Sequence, residues 1–303
     1  MVKLAKWNDE NSYDRQYLDI ANTLLEKAEK ESGYRLDRTK VGSYSTFGTT
    51  IDWDLKNGFP LLVSKFTAFK TMYTELLFFM KGITNNNWLL ERNCHIWTPW
   101  ANEDGELGPI YGSQLRNFDN QGFDQLQYVI DTLKENPDSR RIIFTYYNPN
   151  VLPDESKTHK ENIENGKAVL PPCHILYMFD SQVAEDGSRE LNGMLVQRSN
   201  DTLLGKPFNF SQLALWVHIL AYHTGHKPGR IKHVVSNEHV YMNQIDAAKE
   251  WLSVVEESKN KEIFYPKLII HADKDKHPQD YELDDLSIEG YEHLGKFKFD
   301  VAV

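Results

Sequence analysis

Residues 191–226, LNGMLVQRSNDTLLGKPFNFSQLALWVHILAYHTGH, decide the fold. The first nine residues resemble a β-strand, and residues 204–209 (LGKPFN) are predicted to form a rigid turn. Residues 211–226 are apolar over most of their length, which predicts the longest buried helix of the chain. Residues 230–244 follow as a mainly strand-like segment.

Helical periodicity and strand-like runs account for most of the remaining chain. The predicted helices cover residues 12–32, 70–81 and 123–135, and the predicted strands cover residues 44–55, 140–148 and 174–182. These elements mix without a regular βαβ rhythm, which favours an α+β fold over a doubly wound sheet. The polar residues 150–167 are predicted to be an exposed insertion loop within one domain, because strand-like segments continue on both sides.

Composition narrows the classes of function. The 303-residue chain carries a net charge of −10, which disfavours general binding to nucleic-acid polymers because that binding depends on neutralising phosphates. Only two cysteines are present, far apart, which indicates no disulfide framework and a reducing compartment. The N-terminus lacks the apolar run of a signal peptide, and no stretch approaches a membrane span. We therefore expect a cytoplasmic protein.

A cysteine follows two prolines in the sequence Pro171-Pro172-Cys173-His174. The prolines stiffen the backbone, and a cysteine held beside a histidine could have a lowered pKa and act as a nucleophile. The alternative is a structural cysteine, because free cysteine is among the residue types most often buried. The local sequence leaves both interpretations open.

Arginines near turns and strand ends are candidates for binding a phosphate. Arg140 and Arg141 follow a turn, Arg198 is next to the hydroxyl of Ser199, and Arg38 is a third site. Forked guanidinium groups with a nearby hydroxyl are suited to a phosphate monoester. Arginines at such positions are, however, more often partners in surface ion pairs.

Four further side chains are candidates for a ligand site. Asn209 could pair with the edge of a pyrimidine, or it could cap the helix that follows. Alternation along a strand places His239 and Tyr241 on one face, where they could reach a sugar hydroxyl or form half-buried polar core. Glu75 lies inside an apolar helix, and a buried carboxylate needs either a partner or a role in proton transfer.

Taken in order, several segments resemble the thymidylate synthase family over nearly the whole chain. They are DRTKVGSYSTFG (37–48), NGFPLLVSK (57–65), TELLFFMKG (74–82), HIWTPWA (95–101), DGELGPIYGSQ (104–114), NPDSRR (136–141), LPPCH (170–174), QRSNDTLLGKPFN (197–209), EHVYMN (238–243) and FDVAV (299–303). The resemblance implies one catalytic domain over residues 1–303, with a large mixed β-sheet flanked by helices. It also implies a homodimer that forms through a face of the sheet.

The same resemblance implies roles for particular residues. The catalytic group would be Cys173, which attacks C6 of dUMP, together with Glu75, Tyr111, His174 and Asn209. The contacts to the nucleotide would come from Arg38, Gln197, Arg198, Ser199, Asn209, His239 and Tyr241, joined by Arg140 and Arg141 of a second subunit. The co-substrate would be 5,10-methylenetetrahydrofolate, and its surface would be formed by Ile96, Trp97, Trp100, Asp201, Leu204, Gly205, Phe208 and Val303. The resemblance implies no metal, no flavin, no membrane and no obligatory nucleic acid.

Several positions depart from the family pattern. The family usually has glutamine at the position of Met178 and tryptophan at that of Leu115. It usually has a Gly-Asp pair in place of Ser236 and Asn237, and an acidic pair in place of Thr98 and Pro99. Ser211 and Gln212 replace a small residue followed by serine. The sequence favours reductive methylation of dUMP. Hydroxymethylation of dUMP, dCMP or CMP, in which water replaces hydride, remains open, and an inactive nucleotide- or RNA-binding relative is a third alternative.

Overall fold

The computed structural model describes residues 4–36 and 39–302. The helices in this part of the chain are α1 (Tyr13–Glu29), α2 (Phe69–Met80), α3 (Asn87–Leu90), α4 (Tyr111–Arg116), α5 (Gln125–Glu135), α6 (His159–Glu164), α7 (Gly205–Thr224) and α8 (Ile245–Glu257). The strands are β1 (Tyr34–Arg35), β2 (Ser43–Asp54), β3 (Ile143–Thr145), β4 (His174–Val183), β5 (Arg189–Asp201), β6 (Lys227–Tyr241), β7 (Lys267–Ile270) and β8 (Leu286–Glu289). No helix among the described residues is long and apolar enough to cross a membrane.

A mixed six-stranded sheet forms the centre of the molecule, with the strand order β1-β2-β6-β5-β4-β3. All neighbouring pairs are antiparallel except β5 and β6, which run parallel. A parallel pair needs a long crossover connection, and α7 provides it. The predicted α+β fold, with a large mixed sheet flanked by helices, is confirmed.

Helix α7 packs directly on the sheet. Leu213, Trp216 and Val217 are fully buried, and a Cβ added to Gly193 on β5 would lie 2.4 Å from Cγ2 of Val217. The backbone of β5 can therefore approach the helix only because residue 193 has no side chain. The helix ends at Gly225, whose φ of 75° provides the left-handed cap that glycine favours.

The predicted turn at residues 204–209 is wrong, because these residues form the start of α7. Pro207 is the third residue of the helix, where a backbone N–H would have no partner within the helix, so a proline is tolerated. Asn209 consequently lies inside the helix and does not cap it.

Two other segments also differ from the sequence-based predictions. The regular strand predicted for residues 140–148 is limited to β3. The predicted loop at residues 150–167 contains α6, which begins with a capping box between Thr158 and Glu161. Asn162, within α6, is buried, and its Nδ2 donates to the carbonyl oxygen of Asp154 at 3.0 Å.

Gly193→Ala should destabilise the protein by about 1–3 kcal/mol, because the new methyl group would overlap Val217. Val217→Ala in the same chain should restore part of this loss by making room for the methyl group. Denaturant unfolding of the two single variants and the double variant measures the coupling. Strictly additive effects would contradict the proposed overlap.

Candidate active site

Cys173 lies just before β4, at the end of the sheet where β5 leads into α7. Its backbone N–H donates to the hydroxyl oxygen of Tyr111 at 2.9 Å, and its carbonyl oxygen accepts from the backbone N–H of Arg198 at 3.0 Å. These bonds hold the backbone on both sides of the residue. The side chain is partly exposed, so the predicted nucleophile is both anchored and accessible.

Arg198 brings a positive charge next to the thiol. Its Nη2 lies 3.7 Å from Sγ of Cys173, and Nη2 also donates to the carbonyl oxygen of Pro171 at 2.7 Å. Its Nε donates to the carbonyl oxygen of Pro172 at 2.9 Å. The two prolines therefore present carbonyl oxygens that orient the guanidinium group, and a nearby positive charge stabilises a thiolate.

His174 cannot supply that positive charge at neutral pH. Its side chain is buried, and burial lowers its pKa to about 4, although a hydrogen bond from its ring to the side chain of Asn209 acts in the opposite direction. Nδ1 lies 3.0 Å from the hydroxyl of Tyr177. The sequence pointed to a histidine beside the cysteine, but the charged neighbour of the sulfur is Arg198.

The carboxylate of Glu75 accepts two hydrogen bonds from neighbouring side chains. Nε1 of Trp97 donates to Oε1 at 2.8 Å, and Nε2 of Gln212 donates to Oε2 at 2.7 Å. Burial raises the pKa of Glu75 to about 7, while both hydrogen bonds act in the opposite direction because they favour the carboxylate. A carboxyl group with this pKa can accept and release a proton near neutral pH.

Asn209 is part of a network of amide side chains. Its Nδ2 donates to Oδ1 of Asn200 at 3.0 Å and to Oε1 of Gln197 at 3.2 Å. Oε1 of Gln197 also faces Nε2 of His233 at 2.8 Å. A Cβ on Gly205 would lie 3.2 Å from Oδ1 of Asn200, so the first residue of α7 must be small for the network to fit.

Among the apolar residues predicted for the folate surface, Trp97 is buried against Glu75, and Ile96, Trp100, Leu204 and Phe208 are partly exposed. The rings of Trp97 and Trp100 make an edge contact at a centroid distance of 5.8 Å, and the side chains of Ile96, Leu204 and Phe208 are half-buried against the core. This surface offers the flat apolar faces that a pterin ring requires.

Asp201, the predicted carboxylate of that surface, is tied to the chain around it. Its Oδ1 accepts from the backbone N–H of Leu203 at 2.9 Å and of Leu204 at 3.1 Å. Its Oδ2 accepts from Nε2 of Gln244 at 2.9 Å, and the same amide donates to the carbonyl oxygen of Asp300 at 3.1 Å. Gln244 therefore joins the C-terminal segment to this edge of the site.

The other residues predicted to contact the nucleotide differ in their exposure and in their neighbours. His239 and Tyr241 share one face of β6 with an edge contact between their rings at 5.0 Å, as the alternation predicted. Arg140 and Arg141 are exposed, and their guanidinium groups make no hydrogen bond or ion pair with other described residues. Ser199 is half-buried on β5 next to Arg198. The predictions for Arg38 and Val303 lie outside the described residues.

Sequence reasoning missed a fully buried ion pair below the amide network. Nζ of Lys206 donates to Oε2 of Glu238 at 2.6 Å, and both side chains have no exposed surface. Glu238 lies in a polar run with Asn237 and His239, so nothing in the sequence indicates that it is buried or that it pairs with Lys206. Lys65 was missed as well: burial lowers its pKa to about 7, and its Nζ lies 4.6 Å from the ring centre of Phe299.

Among the described residues, no group of three or more histidine, cysteine, aspartate or glutamate side chains could hold a metal ion. The side chains of the site provide a thiol, a titratable carboxyl group, a guanidinium group and oriented amides. These groups can add a nucleophile to an electron-poor ring and move protons around it.

Iodoacetamide at pH 7 should modify Cys173 well before Cys94. Cys94 is buried, and burial raises its pKa to about 11, whereas Cys173 is accessible and faces Arg198. Arg198→Gln should slow the alkylation of Cys173 by roughly tenfold because the nearby cation is lost. Peptide mass mapping over time measures the rates, with Arg189→Gln as the control. An unchanged rate in Arg198→Gln would show that this guanidinium group does not activate the thiol.

Glu75→Gln should raise the free energy of unfolding at pH 8 and change it little at pH 5. The pKa of Glu75 is raised in the folded state, so the folded protein retains a proton that the unfolded chain releases. Stability is consequently lost as the pH rises from about 4.5 toward 7, and glutamine removes this loss. Thermal unfolding at both pH values measures the effect, with the exposed Glu26→Gln on α1 as the control. Equal shifts at pH 5 and pH 8 would contradict a titrating Glu75.

Comparison with known proteins identifies the family of the chain. A family model described as thymidylate synthase matches residues 15–303. The thymidylate synthase of Francisella tularensis subsp. holarctica (strain FTNF002-00 / FTA) is 38% identical over 290 residues, which cover 95% of this chain and 100% of that protein. The thymidylate synthase of Francisella philomiragia subsp. philomiragia is 36% identical over 289 residues, with the same coverage. The chain belongs to the thymidylate synthase family.

Proposed function

We propose that the enzyme catalyses the reductive methylation of dUMP to dTMP, with 5,10-methylenetetrahydrofolate as the co-substrate of its family. The observation that carries the proposal is the accessible thiol of Cys173, held 3.7 Å from the guanidinium group of Arg198. Glu75 and Asn209 belong to the same site, in the roles that the sequence predicted. We take residues 1–303 to be one catalytic domain.

Cys173 acts as the nucleophile in this proposal. Its thiolate adds to C6 of the pyrimidine, and the electron pair of the C5–C6 double bond moves toward C5 and O4. The ring thus becomes nucleophilic at C5, and donors near O4 stabilise the developing charge. Because a free thiol must stay reduced, we place the enzyme in the cytoplasm.

Protons move through Glu75 and the polar groups around it. With a pKa near 7, Glu75 exchanges protons without a large energetic cost at neutral pH. His174 stays neutral, so it contributes hydrogen bonds to this network and adds no charge. Tyr111 anchors the backbone of the nucleophile through its hydroxyl group.

The nucleotide is bound through its phosphate, its base and its sugar. Arg38, Arg198 and Ser199 hold the phosphate, and Arg140 and Arg141 from a second copy of the chain complete the site. The exposure of the latter two arginines supports this homodimer, because they are available to a neighbouring subunit. Gln197 and Asn209 face the base, and His239 with Tyr241 binds the 3′-hydroxyl group.

The residues present fit the folate. The half-buried ring of Trp100, packed against the buried ring of Trp97, suits the pterin and its neighbouring ring, together with Ile96, Leu204, Gly205 and Phe208. Asp201 and Val303 are proposed to lie at the same surface. When bound, the folate supplies the one-carbon unit and, in the reductive reaction, the hydride. The apolar side chains exclude water from the pyrimidine ring during the reaction.

Hydroxymethylation of the same ring is the second candidate, and one contact favours it. Gln212 occupies a position where the family usually has serine, and its amide binds Glu75 directly at 2.7 Å. A longer side chain that occupies an oxygen of the carboxylate changes the ordered polar groups beside the reacting carbon. Such a change acts on the step at which water and hydride compete.

Product analysis separates the two candidates. The protein is incubated with methylenetetrahydrofolate and dUMP, dCMP or CMP, and the nucleotide product is identified by mass. We expect dTMP from dUMP, together with dihydrofolate, which is detected by its absorbance. A hydroxymethyl nucleotide without dihydrofolate would establish the second candidate. Tritium release from every [5-³H]-nucleotide at background level would exclude both.

Cys173→Ala should abolish turnover while the affinity for dUMP changes by less than about fivefold, because the contacts to phosphate and base remain. Calorimetric titration with dUMP and a turnover assay measure the two properties separately. Cys94→Ala is the matched control and should keep its turnover, because Cys94 is buried away from the solvent. Residual turnover in Cys173→Ala above one part in a thousand would argue for another nucleophile.

A further inference from the structure

The buried pair formed by Lys206 and Glu238 lies directly below Asn209. Lys206 is the second residue of α7, and Glu238 lies on β6 opposite Asn200 of β5. Both charged side chains are fully buried. Removing two charges from water is costly, and hydrophobic residues of similar size usually stabilise a core as well or better. The pair therefore calls for a role other than stability.

Glu238 is saturated with hydrogen-bond donors. Its Oε2 accepts from Lys206 and from Oγ1 of Thr49 at 2.8 Å, and its Oε1 accepts from Oγ1 of Thr202 at 2.8 Å. Oε1 also accepts from Nδ2 of Asn200 at 3.2 Å. An ionised carboxylate can only accept, so Asn200 must direct its NH₂ group toward Glu238. Its Oδ1 is thereby turned toward Asn209.

Gln197 is oriented in the same way from the other side. Its Nε2 donates to the backbone carbonyl oxygen of Ser199 at 2.9 Å, and a carbonyl oxygen also only accepts. Its Oε1 must therefore face Asn209. Asn209 thus meets two acceptors, Oδ1 of Asn200 and Oε1 of Gln197, and satisfies both with the two hydrogens of its NH₂ group.

Both hydrogens of the Asn209 NH₂ group are then engaged, so Asn209 meets the pyrimidine with its carbonyl oxygen, which also accepts from His174 and has a second lone pair. On this basis we propose that Glu238, neutralised by Lys206, is a positioning residue that fixes the Asn209 amide through Asn200. The inference rests on the proposed function, since it concerns how that site selects its base. The fixed carbonyl oxygen accepts from N3–H of uracil. Cytosine has a lone pair at N3, so its ring would have to shift to bring its amino group to the same oxygen.

Two variants that share the loss of the ion pair test this role. In Lys206→Met/Glu238→Met, the acceptor for Asn200 is lost and the amides can turn. In Lys206→Met/Glu238→Gln, the side-chain carbonyl oxygen of the glutamine still accepts from Asn200. Both variants are free of an unpaired buried charge, which favours folding. Thr202→Val removes another hydrogen bond to Glu238 without touching Asn200, and it is the control for general loosening.

Calorimetric dissociation constants for dUMP and dCMP give the base selectivity without any need for turnover. We expect the wild-type protein to bind dUMP more tightly than dCMP. In the Met/Met variant the ratio of the two dissociation constants should fall about tenfold, which is the equivalent of one oriented hydrogen bond. The Met/Gln variant and Thr202→Val should keep the preference to within about threefold. A structural role would instead change both dissociation constants together and leave their ratio unaltered.

Equal preference in the Met/Met and Met/Gln variants overturns the inference, as does a wild-type protein that binds dCMP as tightly as dUMP. Asn200→Ala provides a second test if the Met/Met variant does not fold, because it removes the relay and leaves the ion pair intact. It should lose the same selectivity, and retention of the wild-type ratio would also overturn the inference. A failure of the proposed function is seen separately, as absence of turnover in the wild-type protein.

Discussion

The parallel pairing of β5 with β6, bridged by the buried helix α7, is the constraint on which the site depends. The register places Ser199 opposite Asn237, Asn200 opposite Glu238, and Asp201 opposite His239. Because parallel strands end at the same edge of a sheet, the last residues of both strands meet beside the start of α7. A shift of one residue would turn each of these side chains to the other face and dismantle the amide network.

The charged side chains at this edge of the sheet differ in how far neighbouring groups neutralise them. Arg198 is held by backbone carbonyl oxygens, which orient it but do not cancel its charge, so it stays available to a thiolate and a phosphate. Glu238, in contrast, is fully compensated by Lys206 and three neutral donors. Its charge orients neighbouring dipoles without repelling a ligand dianion as strongly as an unpaired carboxylate would. Within an acidic chain, the uncompensated guanidinium group of Arg198 thus keeps a local positive charge beside Cys173.

Much of the fold could be predicted from the sequence, because periodicity reports which face of an element is buried. The main elements α1, β2, α2, α5, β4, β5, α7 and β6 occur in the predicted order, and the predicted face shared by His239 and Tyr241 is present. The C-terminal elements α8, β7 and β8 were not predicted. The start of α7 was misjudged, since Gly205 and Pro207 are typical of turns. Glycine and proline cost little in the first turn of a helix, where backbone donors lack partners, and local propensity does not reveal that context.

The candidate site was predictable only as far as family motifs extend. Cys173, Arg198 and Glu75 were named from the sequence, and the structure brings Arg198 to the sulfur of Cys173. The sequence did not predict that Gln212 binds Glu75 or that Lys206 pairs with Glu238. Each of these bonds joins segments that only the tertiary structure brings together. These partners also concern different steps. Gln212 binds Glu75, the proposed proton carrier, whereas Glu238 binds Asn200, a partner of Asn209, which we propose contacts the base.

That division separates substrate choice from the fate of the one-carbon unit. The amide network is anchored by two acceptors, a backbone carbonyl oxygen and a carboxylate paired with a buried lysine, and these two acceptors fix its orientation. Glu75, with a pKa near 7, changes its protonation state within the same site. In the proposed function, Asn209 contacts the base in a fixed orientation, whereas Glu75 exchanges a proton. Substitutions around Glu75 can then alter the product while the recognised nucleotide stays the same. Base selectivity and product chemistry can therefore vary independently on this scaffold, each through its own buried partner.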